Sequence, residues 1–88
     1  MNKNDASLKK LVKFILLNNS KSDLKASLDA LLTPKEIEEF VTRLEIVKLL
    51  KKDLPQHQIA KKLSVGVATV TRGSKELKKG KFDTVKLS

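Results

Sequence analysis

The residues with the clearest chemical meaning lie between Gln56 and Arg72, in the stretch QHQIAKKLSVGVATVTR. Ala60 is small where two helices would cross closely, and the apolar side chains that would fix the angle between them are Ile59, Leu63, Val65 and Val70. A helix-turn-helix lays its second helix in the major groove of DNA, with N-terminal side chains at the base edges. The pattern therefore predicts a DNA-binding unit, although similar apolar spacing also occurs in helical hairpins that bind no nucleic acid.

The predicted reading surface consists of short side chains at the start of the second helix. Thr hydroxyls and Ala or Val methyl groups suit hydrogen bonds to base edges and contacts with thymine methyl groups. Basic and polar residues nearby are expected to contact phosphates, which position a protein on the duplex. The residues predicted to bind DNA are Gln56, His57, Lys61, Gly66, Val67, Ala68, Thr69, Thr71, Lys75 and Lys78.

The distribution of charge supports a nucleic-acid partner. The 88 residues carry 19 Lys and Arg against 10 Asp and Glu, a formal net charge of +9. Residues 51–88 hold ten basic and three acidic side chains (+7), whereas residues 1–50 hold nine and seven (+2). A basic half joined to a nearly neutral half is the electrostatic pattern of phosphate binding.

The composition argues against an enzyme and against a metal site. Without Cys there is no disulfide or thiolate site, and a single His cannot build a zinc site. The sequence also lacks a Gly-rich phosphate loop and any set of nucleophile, base and orienting group. His57, the one candidate base, is expected to face solvent or phosphate. With neither a leader nor a membrane-spanning apolar run, the sequence predicts a cytoplasmic protein without a catalytic cofactor or metal.

Apolar residues at helical spacing predict the elements that position this surface. A first helix is expected over about residues 6–17 and ends at Asn18-Asn19-Ser20, and a second carries Leu24, Leu28, Leu31 and Leu32 on one stripe. A third helix begins at Thr33 and Pro34, because Thr33 can cap the first turn, Pro34 suits the first helical position and Glu36 can complete a capping box. It is expected to reach about Lys51.

Strand alternation and hairpin turns are absent from the sequence, so the fold class is predicted to be all-α with five helices. Residues 1–50 are expected to form a helical core and dimerisation segment, and residues 51–79 the helix-turn-helix segment. Gly80 is expected to stop the last helix. Residues 80–88 then form a short tail, in which Phe82 and Val85 are able to dock as one turn.

The first helix predicts self-association. A chain of 88 residues is near the size at which a single core is marginal. The consecutive apolar residues from Phe14 to Leu17 surround the helix, and such all-round apolarity usually means burial on several sides. A homodimer is therefore expected, the alternative being an ordinary core helix with a frayed end.

One run of residues resembles a known family. The sequence ATVTRGS from Ala68 to Ser74, followed by Leu77-Lys78 and preceded by Leu32-Thr33-Pro34 and Arg43, resembles the bacterial tryptophan repressor family over about residues 30–79. A Gly inside the recognition helix costs about 1 kcal/mol of helix stability relative to Ala, and the helix-turn-helix geometry does not require it. The resemblance implies an intertwined all-helical homodimer that binds L-tryptophan as corepressor and then binds a palindromic operator.

The resemblance also implies a ligand site. Arg43 and Arg72 would lie on either side of the indole ring, because a planar guanidinium stacks on an aromatic face, and Arg72 would also pair with the carboxylate. Gly73 would leave room for the ligand beside the recognition helix. The residues implied in tryptophan binding are Leu32, Thr33, Arg43, Arg72, Gly73 and Glu76.

The sequence departs from the family pattern in four places. Between Arg43 and Gln56 the chain is one residue shorter, and one residue in a helix is about 100° of rotation. Ser64 stands where the turn usually has Gly, and a left-handed conformation there costs about 1 kcal/mol. Glu76 stands where a small hydroxyl residue is favoured, so its carboxylate would pair with the ligand ammonium or repel the ligand carboxylate. The C-terminal helix is nearly absent.

Two other functions remain open at this point. One is a constitutive helix-turn-helix DNA-binding protein without a corepressor, for which the shortened spacing after Arg43 is the relevant feature. The other is a partner-dependent DNA-docking module of a recombinase. Arg43, Arg72 and Gly73 together favour the tryptophan sensor.

Overall fold

A computed structural model of the chain describes residues 3–87, and every element in this range is an α-helix. The elements are α1 (Lys3–Leu17), α2 (Lys21–Leu31), α3 (Pro34–Lys51), α4 (Gln56–Leu63) and α5 (Val67–Lys78). The predicted all-α fold with five helices is confirmed. The first helix starts three residues earlier than the apolar spacing indicated, with Asp5 in its first turn, where a negative charge favours the helix dipole.

Short polar side chains set the ends of the first two helices. Asn18 closes α1, its Nδ2 donating to the Phe14 carbonyl oxygen at 2.9 Å. Ser20 caps α2, because its Oγ accepts from the Asp23 backbone N–H at 3.1 Å. The prediction that Leu32 lies on the α2 stripe is wrong: Leu32 is extended, with φ −101° and ψ 146°. The chain leaves the helix ahead of Pro34, since the residue before a proline is disfavoured in the α region.

The predicted capping box at the start of α3 is confirmed. The Thr33 backbone N–H donates to Glu36 Oε1 at 2.9 Å, and the Glu36 backbone N–H donates to Thr33 Oγ1 at 3.1 Å. The bond from the Thr33 backbone N–H is the main cause that holds the pKa of the Glu36 carboxyl below its usual value, and the Thr33 side chain lowers it further. The sequence alone was sufficient here because every partner lies within three residues.

The chain divides between Ile37 and Glu38 into two compact units. Within the first unit, α1 and the whole of α2 contain no buried residue among those described. Their large apolar side chains that remain exposed are Leu8, Leu11, Val12, Ile15, Leu16, Leu17 and Leu31. The predicted assignment of residues 1–50 to dimerisation and of residues 51–79 to DNA binding stays a prediction.

The second unit has a core of its own. Ile59 and Val70 are fully buried and Ile46 is 1% exposed, so α3, α4 and α5 each contribute one side chain to its centre. The remaining buried members are Leu49 and Ala60, and the partly buried side chains around them are Leu50, Leu54, Leu63 and Val65. The apolar set predicted for the helix-turn-helix is therefore confirmed as the core that fixes α4 against α5.

The predicted helix stop at Gly80 is confirmed. Helix α5 ends at Lys78, and Gly80 has φ +83°, which glycine adopts without steric cost. The Asp83 backbone N–H then donates to the Gly80 carbonyl at 3.2 Å, and Lys51 Nζ donates to the Phe82 carbonyl at 3.2 Å. Phe82 is partly buried, whereas Val85 is 44% exposed. None of the helices within residues 3–87 is long and apolar enough to cross a membrane.

Candidate nucleic-acid interface

The turn between α4 and α5 is made by a residue in the left-handed conformation. Ser64 has φ 56° and ψ 45°, as expected for the position at which the sequence has Ser in place of Gly. The Val65 N–H returns to the Ala60 carbonyl at 3.0 Å, which satisfies an oxygen at the end of α4. The left-handed residue reverses the chain so that α5 starts within three residues of α4, at a cost of about 1 kcal/mol.

Helix α5 approaches α3 closely at Gly73. A Cβ at this position would lie 2.9 Å from Ile46 Cγ2 and 3.8 Å from Leu50 Cδ1, and the first distance is shorter than two carbon atoms tolerate. Packing against α3 therefore requires the glycine that the sequence placed inside the recognition helix. Its expected role of leaving room for a ligand stays a prediction, because packing alone accounts for the residue.

The first turn of α5 is open to solvent. Gly66 precedes the helix in an extended conformation, and a Cβ built on it would meet nothing within 4 Å. Val67 is 50% exposed, and Ala68 and Thr69 are exposed as well. These short side chains stand on the helix that Val70 anchors in the core, so their backbone is held firmly while their tips remain free for contacts.

Two of the residues predicted to bind DNA are engaged with each other. Thr71 Oγ1 donates to Gln56 Oε1 at 2.6 Å, and both side chains are partly buried. No feature of the sequence predicts this bond, because the two residues are fifteen positions apart and meet only once α4 and α5 have packed. Thr69 and Thr71, which look equivalent in the sequence, therefore differ in the structure.

Exposed basic side chains are frequent on α4, on α5 and in the turn after α5. The exposed members on α4 and α5 and in the turn after them are His57, Lys61, Lys62, Arg72, Lys75, Lys78, Lys79 and Lys81. Glu76 is the one acidic residue within α4 and α5, and its carboxylate is paired with Lys79 at 3.4 Å and with Lys81 at 2.5 Å. The hydrogen bond from Lys81 is the main cause that holds the pKa of the Glu76 carboxyl below its usual value, and Lys79 lowers it further. The local charge is therefore strongly positive.

The residues implied in tryptophan binding are divided between the two units. Leu32 and Thr33 belong to the first unit, and Thr33 is engaged in its capping box. Arg43, Arg72, Gly73 and Glu76 belong to the second unit. The Arg43 guanidinium carbon lies 5.7 Å from the centre of the Phe40 ring, a cation–π contact. Sequence reasoning missed this contact, although a spacing of three residues on a helix is the signal that predicts such pairs.

Comparison with known proteins identifies relatives of this chain. A family model described as Trp repressor protein matches residues 6–86. A Trp operon repressor homolog of Vibrio vulnificus is 56% identical over 52 residues, which cover 58% of this chain and 51% of the relative. A Trp operon repressor homolog of Vibrio campbellii is 52% identical over 60 residues, covering 67% and 59%.

The Trp operon repressor homolog of Vibrio cholerae is 54% identical over 52 residues, which cover 58% of this chain and 50% of the relative. The chain thus spans about half the length of the curated relatives it matches. No solved structure matches the chain with statistical significance. Since the family model covers most of the chain, including all of the helix-turn-helix, the chain belongs to the Trp repressor family, a family of non-enzymatic transcription regulators.

Proposed function

We propose that this chain is a transcriptional repressor that binds a palindromic operator as a homodimer, with L-tryptophan as corepressor. The observation that carries the proposal is the open first turn of α5 on a fully buried base. Val67, Ala68 and Thr69 present short side chains to solvent, while Val70 on the same helix and Ile59 on α4 are completely buried in the core. A rigid helix with free N-terminal side chains is what major-groove reading requires.

The charge of the same surface supports DNA as the partner. Lys61 and Lys62 on α4 and Lys75 and Lys78 on α5 are exposed, and none of the four has an acidic partner among the described ion pairs. Such side chains release counterions when they neutralise phosphates, so the affinity for DNA is expected to fall steeply with salt, with a slope of about 0.9 per phosphate contacted.

The first unit supports a second copy of the chain as a partner. Helices α1 and α2 have no buried residue within the described range, yet they carry seven exposed large apolar side chains. Apolar surface of this extent usually marks a protein interface. A two-fold dimer would place two α5 helices in equivalent positions, and a palindromic operator is the matching DNA symmetry.

The corepressor proposal depends on Arg43 and Arg72. Both are exposed and neither belongs to a described ion pair, which supports a role in binding a carboxylate. Arg43 already lies over the Phe40 ring, so the indole would have to occupy its other face or displace Phe40. Tryptophan and DNA would then favour the same arrangement of α5, so each would strengthen the binding of the other by the same factor. A repressor of this kind acts in the cytoplasm, and that location stays a prediction.

A fluorescence titration tests the corepressor directly. The chain contains no Trp or Tyr, so the emission of added L-tryptophan is measured without protein background. We expect one site per chain, a dissociation constant on the order of micromolar and tighter binding to a selected operator duplex. Arg72→Ala should remove both effects. Arg72→Lys keeps the positive charge but loses the planar guanidinium, so it should weaken tryptophan binding and keep most of the attraction to DNA phosphates.

The same titration separates the alternatives. A chain that binds DNA as a dimer but shows no saturable response to millimolar tryptophan is a constitutive DNA-binding protein, and the shortened spacing between Arg43 and Gln56 would be the reason. A chain that binds DNA only after a partner protein is added is a docking module of a larger assembly.

A further inference from the structure

We propose that Thr71 acts on DNA through Gln56, as a positioning residue, and that Gln56 makes the contact. The inference rests on the proposed DNA-binding function and refines it. It starts from the bond of 2.6 Å in which Thr71 Oγ1 donates to Gln56 Oε1. This bond joins the first residue of α4 to the second turn of α5, so it belongs to the packed helix-turn-helix and to neither helix alone.

The direction of the bond determines what Gln56 offers to a partner. A carboxamide has one acceptor oxygen and one nitrogen with two hydrogens, on opposite sides of the same planar group. Because Oε1 is held by Thr71, the Nε2 hydrogens point away from it. DNA presents acceptors to such a group, namely phosphate oxygens and, in the major groove, purine N7 and guanine O6. With the amide reversed, Oε1 would face these acceptors and repel them.

The environment of the pair keeps this orientation. Ile59 and Val70, each fully buried, fix α4 against α5; Val70 is adjacent to Thr71 in sequence, and Ile59 is three residues after Gln56. Both members of the pair are partly buried, so water competes less for their bond than at the exposed Thr69. The hydroxyl of Thr71 has a single hydrogen, and Gln56 uses it. Thr71 therefore has no donor left for a base, while Thr69 keeps its own.

A double-mutant cycle on the full chain tests the proposal. Thr71→Val removes the hydroxyl at constant shape, and Gln56→Ala removes the amide. We expect each substitution to weaken binding to the selected operator about tenfold, because one charge-assisted or well-aligned hydrogen bond per subunit is lost. The double variant should be no weaker than Gln56→Ala within about twofold, since Thr71 has no effect once Gln56 is absent.

Thr69→Val is the matched control. It removes an exposed hydroxyl two residues earlier on the same helix, and its effect should multiply with that of Gln56→Ala. Thr71→Ser keeps the donor and should bind like the original chain. The cycle is repeated with Thr71→Ala in place of Thr71→Val. A melting curve of each variant shows whether it is folded, so a folding defect in one of them does not decide the result. Multiplicative losses for Thr71 and Gln56 would overturn the proposal.

Salt dependence distinguishes positioning from a general distortion. Gln and Thr carry no charge, so the slope of log affinity against log salt should be unchanged in these variants. A changed slope would show that the lysines had moved, and the positioning role would fail. The cycle is also measured on a duplex of shuffled sequence. If the effects of the Thr71 and Gln56 substitutions are non-additive on both duplexes, Nε2 contacts a phosphate; if they are non-additive on the operator alone, it contacts a base. If the original chain bound no DNA, the proposed function itself would be wrong.

Discussion

The two units of the chain are stabilised by different kinds of interaction. In the second unit, Ile46, Ile59 and Val70 are at most 1% exposed and come from three helices. In the first unit the described helices bury no residue, and the defined interactions are local, such as the Ser20 cap and the Thr33–Glu36 capping box. Local hydrogen bonds determine where helices begin, whereas only burial supplies the free energy that keeps them folded.

This difference agrees with the proposal that the second unit carries the DNA-facing surface. Reading side chains must be held in fixed positions, and a close-packed core provides such rigidity. Helices of about 12–15 residues are marginal in water by themselves, and α2 has 11 residues. The first unit is therefore expected to depend on a partner surface, in agreement with the proposed homodimer.

The largest expected effect comes from the core of the second unit. Ile59→Ala removes a fully buried side chain and leaves a cavity between α4 and α5, so the free energy of unfolding should fall by about 2–5 kcal/mol. Val67→Ala, at a site that is 50% exposed, is the control and should change it by less than about 0.5 kcal/mol. Urea denaturation measures both. Equal losses of unfolding free energy would mean that the buried core and the exposed first turn of α5 do not differ in their contribution to stability.

The second prediction concerns the apolar face of the first unit. Leu11, which is 45% exposed, becomes charged in Leu11→Lys. If a second copy covers α1, the dissociation constant of the dimer should rise at least about tenfold, or 1.4 kcal/mol, because a charge would be buried. Sedimentation measures the change, with Lys13→Gln on the same helix as control. Unchanged self-association would remove the argument that α1 is an interface.

A third substitution probes how tightly α5 packs against α3. Gly73→Ala introduces a Cβ at 2.9 Å from Ile46 Cγ2. Overpacking of this kind costs about 1–3 kcal/mol, and the better helix propensity of Ala returns about 1 kcal/mol, so a net loss of about 1 kcal/mol is expected. Ile46→Leu deletes the Cγ2 methyl group, and in that background Gly73→Ala should be nearly neutral. Thermal unfolding of the four chains completes the cycle.

The smallest effect distinguishes the local interactions of the first unit. The pKa of Glu36 is lowered by its bonds to Thr33, so its contribution to stability is complete above the usual value of 4.5 and is lost as the pH falls through the lowered value. The stability difference between the original chain and Glu36→Gln should therefore be present at neutral pH and absent in acid. Carboxyl NMR should place the midpoint below 4.5. Thr33→Ala should move it upward. Thr84→Ala, which changes an exposed threonine of the second unit, is the control and should not.

The sequence determined the features that depend on neighbours in the chain. The start of α3 at Thr33 and Pro34 and the stop at Gly80 follow from residue types within a few positions, whereas the left-handed Ser64 was expected only from the family pattern. The helix-turn-helix core was equally readable, because buried residues on short helices repeat at a regular spacing. The resemblance to the family rested mainly on the run ATVTRGS, with Leu32-Thr33-Pro34, Arg43 and Leu77-Lys78 beside it.

Only the tertiary structure decided which residues distant in sequence contact each other. The Gly73 to Ile46 contact and the Thr71 to Gln56 bond each join elements whose relative placement depends on the packed core. Periodicity identifies the buried face of a helix, but it carries no information on which partner atom lies opposite a given side chain. For this reason Thr69 and Thr71 look alike in the sequence and differ in the fold, and the close approach of Gly73 to Ile46 has no signal in the sequence.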